Sequence, residues 1–476
     1  MNRRDFVKAG LIGASTPAAL LAGGEKDSNN TRKSTLADRP NVLFIMTDQQ
    51  FAGAMSNAGN PDLHTPAMDF IARNGVSFDR AYCSDPICVP TRTSWITAKY
   101  PHQTGVTYNT DEPGVNEPTV TRLFKDNGYD TGYVGKWHIT HDYTDREWHG
   151  FDFMASMRNN KVDFDIPEPC CTFLKKKRDN PFFLMASFVN PHDICEWARI
   201  NSGIKDQLKN GQIPEVPNLE NCPNLPGNLD IPENEPSVIR QQQGKAKRTY
   251  PTVDWENDKW RQYRWAYYRM IELVDAHIQT ILDTLIATGQ LENTMIVFTS
   301  DHGDGMGAHR WNQKTLFYDE VSRIPFIFSN PSLSRSGARD AHNLTNMNLD
   351  VFPTLFDYCG ITPPENLPGI SLKPLIEGKS GATGHEFVVS ENDLQAAYGK
   401  SDGIFGRMIR TRRYKYVCYS EGENPEQLFD MELDPGETTS LVQSADNSHI
   451  LDEHRQLLRD HISQSGDFFS SPPLVD

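Results

Sequence analysis

The segment Cys88–Arg92 (CVPTR) places a cysteine two residues before a proline and four residues before an arginine. Pro90 fixes its own φ and restricts the residue before it, which predicts a turn at Cys88. Thr91 can then cap a helix that follows, so that Cys88 lies beside the positive end of a helix dipole with Arg92 close by. A thiol in this position suits chemistry on an anionic ligand. A lone pattern of this kind, however, more often marks a buried structural cysteine at a helix start.

Two apolar segments, NVLFIM and TMIVFT, lead into Asp48-Gln49 and Asp301-His302. Continuous apolar segments of this length are typical of strands that are buried on both faces of a parallel sheet. Open α/β sheets bind their ligands at the carboxyl ends of such strands. Oxygen donors from neighbouring strands would suit Ca²⁺ or Mg²⁺, and the imidazole would also permit Mn²⁺ or Zn²⁺. For Asp48 alone, the cap of a following helix is an equally good interpretation.

Basic side chains lie at the ends of other predicted strands. The segment YDTGYVGKWH predicts a strand whose period of two would place Lys136 and His138 on the same face. His192 follows the apolar segment PFFLMASFVN, and His309 and Lys314 follow a glycine-rich stretch. Cations and imidazoles at one edge of a sheet could bind an anion and transfer protons.

Together with Tyr100-Pro101-His102 behind the cysteine segment, these motifs resemble the type I (formylglycine-dependent) sulfatases of the alkaline phosphatase superfamily. Their order along residues 41–318 is similar to that of bacterial polysaccharide sulfatases. The resemblance implies that Cys88 is oxidised to formylglycine (3-oxoalanine) and that one divalent ion, Ca²⁺, is bound. Gln49 stands where many members of the family have aspartate. The residues that match the family's metal-binding positions are Asp48, Gln49, Cys88, Asp301 and His302.

The resemblance also implies how catalytic and substrate-binding residues divide the work. Hydrated formylglycine at Cys88 would be the nucleophile, and the metal and Arg92 would lower the pKa of its hydroxyl and hold it in line with sulfur. Lys136, His192 and Lys314 would neutralise the sulfate oxygens as charge develops.

Proton transfer falls to the histidines in this scheme. His138 would take a proton from the hydrate so that sulfate is expelled. Either His192 or His309 would protonate the departing alcohol. His309 could bind the substrate. It is an equally good interpretation that His309 lies on the surface or behind the residues that contact the substrate.

Two other functions fit part of the pattern. Phosphate or phosphonate esters are hydrolysed within the same superfamily, but phosphatases typically use serine or threonine with two metals, and ligands for one are found here. A non-catalytic protein that binds a sulfated glycan would leave Cys88 unoxidised. The second function is disfavoured because a binding protein has no need for both proton-transfer groups.

Composition narrows the substrate class. The 476-residue chain has 47 basic and 63 acidic side chains, a net charge of −16, which argues against nucleic-acid binding. Long insertions containing aromatic residues favour a sulfated poly- or oligosaccharide, such as algal ulvan or a host glycan, over a small aryl sulfate. The eight cysteines show no zinc-binding spacing, and they leave disulfide pairing open.

The N-terminal residues predict export. Arg3-Arg4 and an apolar stretch over 9–22 are typical of a twin-arginine signal peptide, to which we assign residues 1–24, and residues 25–39 are a predicted polar spacer. No later segment is long enough for a transmembrane anchor. We expect a bacterial protein that the twin-arginine machinery exports to the periplasm or the medium, after maturation by a formylglycine-generating enzyme.

These elements predict an α/β fold in which helices sandwich a large, mostly parallel mixed sheet. Residues 40–370 would form this catalytic domain, with insertions at 139–180 and 196–254, and residues 371–476 a smaller α+β subdomain with an antiparallel sheet and a helix. The second insertion is long enough to be a lid or a flexible loop. The aromatic stripe of a helix over 255–290 is predicted to pack in the core.

Overall fold

The computed structural model describes residues within the range 39–474. The residues left out of that range are 113, 114, 116 and 158–162. The predicted signal peptide 1–24 therefore lies outside the described residues, as does all but the last residue of the predicted spacer 25–39. Across the described part of the chain, no helix combines the length and the apolar character needed to cross a membrane.

A large sheet forms the centre of the fold. Its strands are β1 Asn41–Asp48, β2 Gly75–Tyr82, β3 Asp130–Gly135, β4 Phe153–Ala155, β5 Phe182–Pro191, β6 Thr294–Ser300, β7 Phe326–Ser329 and β8 Ala338–Asn346. The strand order is β4-β3-β5-β1-β6-β7-β2-β8, and neighbours run parallel except in the two pairs that β7 makes with β6 and β2. The predicted mostly parallel mixed sheet is confirmed.

The described part of the chain contains helices on both faces of this sheet and a last helix that packs on the second sheet described below. They are α1 Pro66–Arg73, α2 Cys88–Thr97, α3 Pro101–Thr104, α4 Arg122–Asp126, α5 Arg146–His149, α6 Pro167–Lys175, α7 Ile194–Asn201, α8 Ser237–Lys245, α9 Asn257–Ala287, α10 Asp319–Ser322, α11 Met347–Cys359, α12 Lys373–Ile376 and α13 Ser448–Ser465. Successive side chains of β1 alternate between the faces: Leu43 and Ile45 pack in the core that contains α9, and Phe44 packs in the core that contains α2 and α11. The aromatic stripe of α9 lies in the first core, as predicted.

A second, antiparallel sheet lies near the C-terminus. Its strands are β9 Phe387–Leu394, β10 Ile404–Thr411, β11 Tyr414–Tyr419 and β12 Glu426–Asp430, in the order β12-β11-β10-β9. The antiparallel sheet predicted for the C-terminal subdomain is confirmed, and β10 and β11 form a hairpin within it. α13 packs its Leu451 and Leu458 against one face of this sheet. The domain boundary at residue 370 stays a prediction.

The sequence pattern did not predict β4, β8, β9 and β12 as individual strands, nor the helices within the two insertions. β8 is an edge strand of the large sheet with several exposed polar residues, so it carries no apolar run. The insertion 139–180 supplies the edge strand β4 and helix α6, and the insertion 196–254 contains α8. All eight cysteines are buried free thiols, so the structure contains no disulfide among them.

Candidate active site

Strands β1 and β6 bring two acids together at one edge of the sheet. Thr47 pairs with Ser300, so Asp48 at the end of β1 and Asp301 just beyond β6 lie side by side. Both side chains are fully buried. The backbone N–H of Gln49 donates to Asp301 Oδ1 at 3.0 Å. The parallel register of β1 and β6 therefore confirms the expectation that these two strand ends lie close together.

Cys88 is the first residue of α2, so the predicted turn at Cys88 is wrong. The helix begins three residues before the cap predicted at Thr91, because Ile87 already has the extended conformation of an N-cap. Pro90 is accommodated in the first turn, where its missing N–H would have no partner within the helix. Cys88 still lies at the N-terminal end of a helix, as expected, and it is completely buried.

Arg92 joins the two acids from one turn further along α2. Its Nε donates to Asp301 Oδ2 at 2.9 Å and its Nη2 to Asp48 Oδ2 at 3.1 Å. Its Nη1 donates to Ser187 Oγ at 2.8 Å and to the backbone oxygen of Lys136 at 3.2 Å. The guanidinium is 1% exposed, so a planar cation holds both carboxylates without competition from water.

Four side chains could share a metal ion. Their ligand atoms, from Asp48, Cys88, Asp301 and His302, lie within 4.8 Å of one another. Cys88 Sγ is 3.1 Å from His302 Nε2 and 3.8 Å from Asp48 Oδ1. His302 Nδ1 lies 2.8 Å from the backbone oxygen of Gly303, which assigns the proton to Nδ1 and leaves Nε2 free to bind a cation.

Gln49 does not join these four residues through its side chain in this structure. Its amide nitrogen donates to Asp304 Oδ2 at 2.7 Å, and its amide also contacts Cys195 Sγ. The backbone of Gln49 has a φ of +74°, which turns the residue away from the line of β1. Asp304 and Cys195 thus hold the amide of Gln49 in this structure, and its role as a metal ligand stays a prediction.

Two lysines approach the cysteine and the acids. Lys136 Nζ forms an ion pair with Asp48, and Lys314 Nζ lies 2.9 Å from Cys88 Sγ. β3 ends at Gly135, so Lys136 and His138 are not paired by strand alternation, and His138 has a φ of +49°. The prediction that a strand face presents both residues is wrong, because a bend after Gly135 orients them.

We predict that Gly135→Ala destabilises the protein by at least about 2 kcal/mol. Gly135 has a φ of +105°, and an added Cβ would lie 2.0 Å from the backbone oxygen of Ser187. The measurement is the free energy of unfolding by urea. Gly59→Ala is the matched control, since Gly59 has a φ of +88° but no atom within 4 Å of an added Cβ, and it should cost about 1 kcal/mol. Equal losses in the two variants would contradict the proposed clash.

The charges around Cys88 favour an anion at this point. Burial and Asp48 act to raise the pKa of the Cys88 thiol, but Lys314, Lys136 and His302 hold it well below its usual value. Burial and the neighbouring Asp48 raise the pKa of Asp301 to about 6. Burial acts to raise the pKa of Asp48, but Lys136, His192 and Arg92 hold it well below its usual value, so Asp301 is the acid whose charge is less well compensated.

A cavity of about 270 Å³ opens over this group. Lys136, Lys314, His138 and His192 line it. Burial, Lys314 and Lys136 lower the pKa of His192 well below its usual value, and burial and Lys136 lower that of His138. The structure thus brings the two predicted proton-transfer histidines to the same cavity as the two predicted sulfate-binding lysines.

His309 does not line this cavity, and we correct its predicted role in substrate binding. It is fully buried, with its ring stacked on Tyr318 at 4.0 Å between centroids. Its Nε2 faces Asn228 and its Nδ1 faces the backbone oxygen of Asp230, at 3.4 and 3.3 Å. Burial lowers its pKa to about 4, in keeping with a neutral packing residue.

Comparison with protein families identifies the family of this chain. Residues 40–361 match the family described as Sulfatase. The chain belongs to the sulfatase family. Residues 307–464 of this sulfatase also match the family described as N-sulphoglucosamine sulphohydrolase, C-terminal.

Individual relatives agree over nearly the whole chain of this sulfatase. A Delta 4,5-hexuronate-2-O-sulfatase of Bacteroides thetaiotaomicron is 33% identical over 456 residues, 91% of each chain. An ulvan-active sulfatase of Formosa agariphila is 28% identical over 463 residues, 91% of this chain and 83% of the relative. The solved structure of a 2-O GAG sulfatase has a TM-score of 0.78 and 32% identity, and the match covers 90% of this chain and 93% of that one.

The sequence alone did not reveal several other side chains that line the cavity of the sulfatase, among them Asn109, Glu196, Gln395 and Tyr398. Glu196 is one helical turn after His192, a spacing that could have suggested contact. The other three come from loops distant in sequence, with Gln395 and Tyr398 following β9. No local pattern marks them, because only the packing of the second sheet against the first brings them to the cavity.

Proposed function

We propose that this sulfatase hydrolyses sulfate esters of a poly- or oligosaccharide, with formylglycine at position 88 and one bound Ca²⁺. The observation that carries the proposal is the surroundings of Cys88 Sγ, with Lys314 Nζ at 2.9 Å and His302 Nε2 at 3.1 Å. A cysteine that only packs in the core would need neither the lysine nor the histidine beside it. An oxygen nucleophile at position 88 and the sulfate that it attacks would use both.

The donor set fits a divalent cation. Asp48 and Asp301 are buried and adjacent, and their mutual repulsion helps to raise the pKa of Asp301, so a cation between them would relieve an electrostatic cost. Asp48, Asp301 and His302, with residue 88, would hold the ion, and the two carboxylates favour Ca²⁺. Such an ion would supply a Lewis acid that lowers the pKa of a hydroxyl at position 88 and polarises a sulfate oxygen.

Formylglycine would supply, as its hydrate, the hydroxyl that attacks sulfur. Lys136 and Lys314 are the cations placed to neutralise the sulfate oxygens as charge builds up. Arg92 donates hydrogen bonds to both acids and is 1% exposed, so its part is to hold Asp48 and Asp301 in place.

Proton transfers fall to the two histidines of the cavity. Burial and Lys136 lower the pKa of His138, which keeps its imidazole neutral and able to take a proton from the hydrate. His192 would donate to the oxygen of the departing alcohol, and its lowered pKa makes its protonated form a strong acid. His309 is excluded from both roles by its position away from the cavity.

The choice of a sulfated carbohydrate rests on the relatives and on the cavity. The relatives include one named for a 2-O-sulfated hexuronate and one named for ulvan. The cavity is larger than a sulfate group requires, and it adds the polar side chains Asn109, Glu196 and Gln395 to the predicted sulfate-binding lysines. Such side chains suit the hydroxyls of a sugar.

We expect the mature protein to release sulfate from 2-O-sulfated unsaturated uronate disaccharides or from ulvan oligosaccharides, measured by ion chromatography. Comparison of these rates with the rate on 6-O-sulfated glucosamine measures which sulfate position the enzyme prefers. The paired 4-nitrophenyl sulfate and phosphate separate the sulfatase from a phosphatase, because they share one alcohol. Faster cleavage of the phosphate, or binding of every sulfated sugar without release of sulfate, would contradict the proposal.

Removal of divalent metal should lower the activity by about 100-fold or more, because no other group here could activate the hydroxyl in the same way. The protein is treated with EDTA, dialysed, and assayed after addition of Ca²⁺, Mg²⁺, Mn²⁺ or Zn²⁺. We expect Ca²⁺ to restore the rate. Since His302 contributes an imidazole, a clear preference for Mn²⁺ or Zn²⁺ would correct the identity of the ion.

Maturation and export complete the proposal. A formylglycine-generating enzyme would oxidise Cys88, and the twin-arginine machinery would carry the protein to the periplasm or the medium of a bacterium. The resemblance to formylglycine-dependent sulfatases and the Arg3-Arg4 pair support these steps. Cell fractionation of the native host tests the location, and replacement of both arginines by lysine should leave the protein in the cytoplasm.

A further inference from the structure

One carboxylate oxygen in the active-site cavity has no bonding partner. Glu196 lies on α7, its side chain is 2% exposed, and it lines the cavity. Its Oε1 accepts hydrogen bonds from Arg199 at 2.8 Å and from Lys209 at 3.0 Å. Its Oε2 is buried and accepts no hydrogen bond. A buried carboxylate oxygen without a donor is costly, so a group that uses it is expected.

The nearest candidate is His192, four residues earlier in the chain. Glu196 Oε2 lies 3.8 Å from His192 Nδ1, just beyond hydrogen-bond length. Hydrogen bonds of this kind are often long in the free enzyme and shorten when substrate is bound. We infer that Glu196 positions His192 by accepting a hydrogen bond from Nδ1, which directs the other ring nitrogen, Nε2, to the leaving oxygen of the substrate.

The surrounding contacts hold Glu196 ready for this part. Arg199 is fixed on its other side by Asp206, with Nε to Oδ2 at 2.7 Å. The backbone N–H of Lys209 donates to Asp193, which ties the long insertion to the start of α7. Arg199 and Lys209 therefore occupy Glu196 Oε1 with hydrogen bonds, and Oε2 remains free to accept a hydrogen bond from a donor inside the cavity.

The inference rests on the proposed function and specifies how its acid works. As the bond between sulfur and the sugar oxygen breaks, His192 gives the Nε2 proton to that oxygen and becomes neutral, while its Nδ1 proton stays on the hydrogen bond to Glu196. Lys136 and Lys314 on the other side of the cavity oppose positive charge on the ring. Asp48 and the Cys88 thiol act against the two lysines, and the Glu196 carboxylate adds a negative charge 3.8 Å from His192 Nδ1.

Glu196→Gln tests the inference because it keeps the shape and an oxygen for Arg199 and Lys209, but it removes the carboxylate. In the wild-type protein, ¹⁵N NMR of labelled histidines should show His192 protonated at Nδ1, with the signals assigned from a His192→Asn variant. In Glu196→Gln the Nδ1 proton should be lost from the neutral ring, since the amide NH₂ can donate to it. This readout needs no turnover, so it stands even if the proposed activity fails.

The kinetic readout separates positioning from a structural role. With a sulfated sugar, Glu196→Gln should lower kcat by about 10- to 100-fold with little change in KM. With 4-nitrophenyl sulfate, whose alcohol leaves without a proton, the loss should be far smaller. Glu272→Gln is the matched control, because Glu272 also accepts a hydrogen bond from an arginine on its own helix, Arg269, at 2.8 Å but does not line the cavity, and it should keep kcat close to wild type.

Three results would overturn the inference. If the ¹⁵N signals of His192 are the same in wild type and Glu196→Gln, Glu196 does not set the protonation of the ring. If KM rises while kcat is unchanged, Oε2 binds a hydroxyl of the sugar, not His192. A loss of kcat that is equal for both leaving groups would likewise reduce Glu196 to a residue that maintains the cavity.

Discussion

Cys88→Ala should abolish sulfate ester hydrolysis, with a loss on the order of 10⁴-fold or more in kcat, because it removes the nucleophile itself. The variant should fold, since the side chain at position 88 only becomes smaller and α2 is anchored by Arg92. Initial rates with the best sulfated sugar are the measurement. They are normalised to the fraction of formylglycine in the wild type, which a mass about 18 Da below that of the cysteine peptide reveals.

A second cysteine makes the result specific. Cys359 is also completely buried, at the end of α11, and lies among apolar residues. Cys359→Ala should lose about 1 kcal/mol of stability and keep its activity. Retention of the wild-type rate by Cys88→Ala would contradict the mechanism, and an unmodified thiol in fully active protein would contradict the role of formylglycine.

Arg92→Met should destabilise the protein more than most single substitutions would, by about 3–5 kcal/mol in the absence of divalent metal. The substitution leaves Asp48 and Asp301 buried side by side without the guanidinium that bridges them. Activity should fall together with stability, because the same two acids would hold the cation. Urea unfolding in EDTA and in Ca²⁺ is the measurement, and added Ca²⁺ should restore part of the loss.

An exposed ion pair provides the comparison. Arg339 binds Asp79 at 3.0 Å, but its side chain is 46% exposed. Arg339→Met should cost under about 1 kcal/mol, because water already screens this pair. Arg92→Lys adds a further test, since it keeps the charge but cannot reproduce the four bonds of the planar guanidinium. A cost for Arg92→Met no larger than that for Arg339→Met would show that the bridge is not important.

The central strands were predictable because their signal is local. The segments NVLFIM, TMIVFT and PFFLMASFVN are predominantly apolar, and a strand buried on both faces needs no alternation. Their parallel register then brings Asp48 and Asp301 together without further information. Edge strand β8 escaped prediction because it has one neighbour and several exposed positions, so its sequence resembles a loop.

At the active site, residue types were predictable but several positions were not. The sequence motifs were enough to predict that the cysteine, the arginine and the two lysines belong to the site. Their chemical role does not depend on whether each lies at the end of a strand or of a helix. His138 and His309 depended on backbone bends with positive φ, at +49° and +52°, which the sequence does not mark. One of these bends leads His138 to the cavity, and the other leaves His309 buried against Tyr318.

The sequence by itself therefore determined the fold class, the family resemblance and the group of reactive residues, because apolar periodicity and motif spacing are properties of neighbouring residues. The tertiary structure alone decided that Gln49 bonds to Asp304 and that the Glu196 carboxylate faces His192. It also decided that a loop from the C-terminal sheet brings Tyr398 to the cavity. These contacts depend on the packing of segments that are far apart in the chain, and side-chain orientation in a buried site follows from that packing.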